Sequence, residues 1–167
     1  VINGTEHGKL TRVFIASEKI KPQQIQLHSH RYGIKLTPLS GRVKEHWFRK
    51  SDAYSSFQAS MFQYKSPLNG GNGLSYIEDV EGSILSQTIP LGSSTSMSGD
   101  EIHTISCSKG SIWIVEEQGF TTDRSLVIGT PFITDNLYNE PKQFEVNDNF
   151  QKVKNVLKSI LNSYDNL

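Results

Sequence analysis

The sequence predicts an all-β domain followed by one amphipathic helix. Three observations carry this. Short stretches of alternating and β-branched residues recur along most of the chain. Glycine, proline and asparagine punctuate them at close intervals, and the tail changes to helical spacing.

Residues 11–16 read as a first short strand. Pro22 marks a turn before residues 24–32, which alternate well enough for a second. If His28 and His30 face inward on that strand, Gln26 and Tyr32 face inward too, and Ile25, Leu27 and Ser29 face out. Residues 34–39 follow, then a turn at Ser40-Gly41, then a strand over 42–49 in which Val43, Glu45 and Trp47 share a face. Residues 57–64 form an aromatic strand, and the glycine-rich stretch 66–73 is a loop. Residues 74–80 and 83–89 read as a hairpin about Glu81-Gly82. A turn at Met97-Ser98-Gly99-Asp100 leads into a strand over 101–106. Residues 111–117 are the most β-like run, and 125–129 give a last core strand. Many short strands with glycine-marked turns describe a sandwich or barrel. In the tail, Phe150, Val153, Val156, Leu157, Ile160, Leu161 and Tyr164 recur at helical spacing after Pro141, with Asn147 or Asp148 as the cap. The division expected is a barrel domain over 1–140 and a helix within 141–167, packed on the barrel or on a partner such as a second copy.

Lys plus Arg and Asp plus Glu both number 17, so the net charge is zero with neutral histidine. No basic stripe suits a phosphate backbone, which argues against nucleic acid. No apolar run is long enough for a membrane span or a signal-peptide core. The single cysteine, Cys107, allows no intramolecular disulfide and fits a reducing, cytoplasmic setting. The partner expected is a small molecule.

Five histidines are present: His7, His28, His30, His46 and His103. His7 lies in a polar segment, and His46 is expected at the surface, opposite Glu45 and Trp47. The pair His28-Ser29-His30 is different. Two histidines at i and i+2 on a strand point to one face, where both imidazoles can reach one ion. His103 follows a tight turn at a strand start. Three neutral imidazoles bind a divalent first-row metal and leave positions open for a substrate or oxygen. Iron(II), nickel, manganese, copper and zinc are all compatible. Glu45, Glu116 and Gln26 are candidates to accept the far N–H of a ligating imidazole. Tyr32 is a candidate catalytic group if it lines the same interior; otherwise it fills the barrel. Cys107, four residues after His103, shares its strand face as a packing residue or a soft ligand.

These residues resemble the two short motifs of the cupin superfamily. His28-Ser29-His30 with Gly41 resembles the first, and Gly99 with His103 resembles the second, over about residues 22–131. The resemblance implies a jelly-roll barrel with the metal held by His28, His30 and His103. The usual glutamate position falls at Ile34 or Lys35, no proline precedes Gly99, and the usual asparagine position falls on Cys107. The absent carboxylate is similar to the cysteine dioxygenase-like branch, which uses three histidines and iron. That branch also uses an arginine near its N-terminus and a Ser-His-Tyr set. Here Arg12 and Arg31 stand in no matching motif, and no histidine follows His103. Three functions stay open at this point: a thiol-type dioxygenase, a non-redox metal enzyme (isomerase, lyase or hydrolase on a sugar or organic acid), and a ligand-binding barrel without catalysis.

Overall fold

The computed structural model describes residues 2–6, 9–22, 25–51, 56–65 and 70–129, with Lys154, Asn155 and Lys158 in the tail. The described strands are β1 (Ile2–Glu6), β2 (Lys9–Ile15), β3 (Leu27–His28), β4 (Tyr32–Ser40), β5 (Val43–Lys50), β6 (Phe57–Lys65), β7 (Gly73–Ile89), β8 (Thr95–Met97), β9 (His103–Cys107), β10 (Ile112–Phe120) and β11 (Ser125–Gly129). They form two antiparallel sheets. One has the order β1-β2-β10-β4-β8. The other runs β11-β3-β9-β5-β7-β6 and closes on itself, because β6 pairs with both β7 and β11. The all-β expectation therefore holds for the described residues.

Alternation decides what each strand buries. On β4, Ile34 and Leu36 are buried while Lys35 between them pairs with Glu116 on the outside at 3.1 Å. Together with Trp113 and Val115 of β10, these residues pack on Val43, Ile89, Ile105 and Cys107 of the closed sheet. Phe14 stacks on Trp113, its register partner, at 5.3 Å. A second cluster joins Phe48, Ala59, Met61, Val80, Ile102 and Ile128, with Leu27 and Leu126 against it. Each fully buried aliphatic or aromatic side chain contributes about 1.5–3 kcal/mol.

Three expectations are corrected. Residues 24–32 are not one strand. His28 pairs with Val127 and His103 in the closed sheet, whereas Tyr32 pairs with Phe120 in the other. The chain changes sheets between them, so the alternation does not carry across. Ser29 is buried, Leu27 packs on the second cluster, and Tyr32 is 37% exposed with its ring edge-on to Phe120. Second, the expected hairpin at Glu81-Gly82 is continuous strand. β7 serves β6 over its first half and β5 over its second, and both pair with it at Gly82. The Phe48 ring fills the space a side chain at Gly82 would take. Third, His46 is buried rather than at the surface. Flanking strands cover it and supply two serines, Ser86 and Ser106.

Lys154, Asn155 and Lys158 are helical and exposed. The apolar positions of the expected tail helix, the boundary at residues 140–141, and His7 lie outside the described residues. No helix among the described residues is long and apolar enough to cross a membrane.

Candidate metal centre

β3 is only two residues long, yet it fixes the first ligand. His28 stands in register with His103 of β9, and Trp47 of β5 is the register partner of His103 on the other side. His30 lies beyond the strand and is held by its backbone. Its N–H donates to the Gly99 carbonyl at 2.8 Å, just after Ser29 N–H donates to the Leu126 carbonyl, also at 2.8 Å. Gly99 permits this approach, because a Cβ there would lie 2.7 Å from the His30 carbonyl oxygen. Gly99 and His103 thus act together: one seats His30, the other completes the cluster.

The three imidazoles form a near-equilateral triangle. Ring centres are 4.8 Å apart for His28 and His30, 5.2 Å for His28 and His103, and 5.1 Å for His30 and His103. One nitrogen from each ring lies within 4.8 Å of the others. The His30 and His103 Nε2 atoms are 2.9 Å apart. Nitrogens bound side by side to one ion at about 2.1 Å stand roughly 3.0–3.4 Å apart, so this pair is close to ligating separation.

Two of the rings are locked in the tautomer a metal needs. His28 Nδ1–H donates to the Gln26 backbone carbonyl at 2.7 Å. His103 Nδ1–H donates to Glu45 Oε1 at 2.9 Å, and Glu45 is fully buried. In both rings Nε2 then carries the lone pair, and that of His103 accepts from His30 Nε2–H. Protonation is opposed as well. Burial, with the charge of His103 next, lowers the His28 pKa to about 4, against a smaller pull from the Gln26 carbonyl. Burial also holds His30 well below the usual imidazole range, assisted by His28, His103 and Arg12. Neutral imidazoles at neutral pH are the ligating form.

The chemistry of this donor set fits a divalent transition metal. Three His28, His30 and His103 nitrogens converge, and Glu45 Oε2 and Gln26 Oε1 are buried with no hydrogen-bond partner among the described residues. A buried side-chain oxygen without a protein donor is met by an ordered water or an ion.

Of the expected outer partners, Glu45 takes the role directly. Gln26 takes it through its main chain, and Glu116 does not, being tied to Lys35 on the outside. Lys35 therefore points to Glu116 and not to the histidine cluster. Cys107 is a core residue whose thiol burial pushes upward in pKa. Tyr32 sits across the sheet change, on the exposed side by Phe120. His46 is not among the three clustered histidines; Ser86 and Ser106 take its ring nitrogens at 2.7 and 2.8 Å. Sequence reasoning named Arg12 without placing it and missed Glu117; the two form an ion pair at 2.6 Å, with Arg12 close enough for its charge to act on His30. The signal was there in the alternation of β10, which puts Glu117 rather than Glu116 on the face of Trp113 and Val115. No protein-family model matches this chain, and no curated protein matches it.

Proposed function

We propose that this chain is a metal-dependent enzyme of cupin type, acting as a small-molecule dioxygenase with iron(II) held by His28, His30 and His103. One observation carries the reading: three converging imidazoles, two of them fixed as Nδ1–H tautomers by acceptors behind them. An iron(II) ion bound there would supply oxygen activation, with positions left open for a substrate. The protein's own part is to hold the imidazoles neutral and oriented. The Arg12–Glu117 pair gives a polar group near His30. The small-molecule thiol class rests on the resemblance to the three-histidine branch, and a cytoplasmic setting accords with the lone buried thiol.

The test is oxygen uptake by protein loaded anaerobically with iron(II), against a panel of small thiols. Uptake that depends on both iron and a thiol supports the reading. Stoichiometric metal without oxygen uptake favours a non-redox metal enzyme. Protein that takes up no divalent metal and carries a tightly held organic molecule favours a binding barrel.

A further inference from the structure

Resting on the metal reading above, we propose that Glu45 is a positioning residue that serves as this site's carboxylate without ligating the ion. Three neutral imidazoles carry no charge to offset a dication, and Lys35, beside the position where a ligating carboxylate is usual, points outward to Glu116. Glu45 lies one hydrogen bond further out. Its Oε1 accepts from His103 Nδ1–H at 2.9 Å, and both side chains are almost wholly removed from water. His28, in the same tautomer, has only a neutral carbonyl behind it. Glu45 therefore transmits negative charge to one ligand of the three. A carboxylate behind a ligating imidazole fixes the ring and raises its basicity, so His103 becomes the strongest donor. The second oxygen of Glu45 is buried with no hydrogen-bond partner among the described residues, so its charge is not spent on another donor there.

The placement follows from register. Glu45 is two residues from Trp47, the partner of His103, and it pairs with Ile105 on β9 and Gln87 on β7. The rows i and i+2 on neighbouring strands put it beside the ring it holds.

The experiment uses cobalt(II) as the probe with the full chain. Glu45→Gln keeps an acceptor for His103 and removes the charge. Its cobalt(II) affinity falls about 10–100-fold, and its visible cobalt spectrum shifts. A Glu45→Gln protein that binds cobalt(II) within about twofold of the unmodified chain overturns the proposal. A second measurement needs no variant. On zinc loading, the Nδ1–H proton of His103 moves further downfield in the NMR spectrum than that of His28, because its acceptor is a carboxylate; equal movement overturns the proposal. An unmodified chain that binds neither cobalt nor zinc overturns the metal reading itself, which separates the two failures.

Discussion

His28 and His103 are register partners across β3 and β9, and each gives its Nδ1–H to an acceptor behind it. The two acceptors differ. One is a main-chain carbonyl two residues away in sequence; the other is a buried carboxylate on the next strand. The pair is therefore matched in geometry and unmatched in electrostatics, which separates the effects of losing each ligand.

The hydrogen bond and ring contacts of His30 fall on His103 and His28, so His30→Ala removes a ligand together with one hydrogen bond to His103. Bound metal falls by at least the 10–100-fold typical of losing an outer partner, and stability changes by about 1 kcal/mol. His103→Ala also loses metal, but it leaves the buried Glu45 side chain without its donor, at about 1–3 kcal/mol. Elemental analysis with urea unfolding of the metal-free proteins tests both. Full metal occupancy in either variant contradicts the ligand assignment.

Acid destabilises the metal-free protein through the same rings. His28 has a native pKa near 4 against an unfolded value near 6.5. Between those values the unfolded chain takes up a proton that the native one refuses, so stability rises with pH. The contribution is complete above about pH 6.5 and is lost as pH falls toward 4. It amounts to up to about 3 kcal/mol for His28, and His30 acts in the same direction. Unfolding midpoints measured from pH 4 to 7 test this. A midpoint flat over that range in the unmodified chain, or a slope undiminished in the His28→Gln, His30→Gln double variant, counts against it.

Gly99→Ala places a methyl group 2.7 Å from the His30 carbonyl oxygen and 3.0 Å from that of Tyr32. Relief requires the His30 segment to move off the turn. The expected cost is about 1–3 kcal/mol in stability, accompanied by weaker metal binding. A calorimetric titration with zinc, read beside thermal unfolding, checks both. Unchanged affinity would mean that His30 does not depend on this turn for its position.

His46 supplies the contrast. Its two ring nitrogens are held by Ser86 and Ser106, and burial lowers its pKa, followed by the Lys44 charge. His46→Ala leaves those hydroxyls without a partner and costs about 1–3 kcal/mol. Metal content per folded chain stays at the unmodified level. A large loss of metal would tie His46 to the site.

The clustering of His28, His30 and His103 was legible because a strand's period of two makes H-x-H a local signal, and because a glycine-marked turn placed His103 at a strand start. The same-face reading of Val43, Glu45 and Trp47 put Glu45 indoors. Tyr32 was misplaced by the same rule, because the rule fails where a chain leaves one sheet for another, and Ser29-His30 is that crossing. Gly82 looked like a turn because glycine and acidic residues favour turns; its place is set by the ring of Phe48, from a strand distant in sequence. His46 was read by parity alone, which misses that neighbouring strands can roof a side chain on the outer face. Arg12 and Glu117 are polar residues at inward parity, a pattern that only tertiary pairing makes sensible.

The closure of the histidine-bearing sheet has a consequence for association. β6 is bonded on both sides, to β7 and to β11, but β7 passes from β6 to β5 at Gly82. Over residues 83–89, β7 therefore has a ladder partner along one margin only among the described strands. Strand-by-strand addition of another chain has its foothold there, as it does at β1 and the three-residue β8 of the other sheet. β3 and β9, which carry His28 and His103, lie between β11 and β5 in the order, so extension at β7 leaves those strands paired.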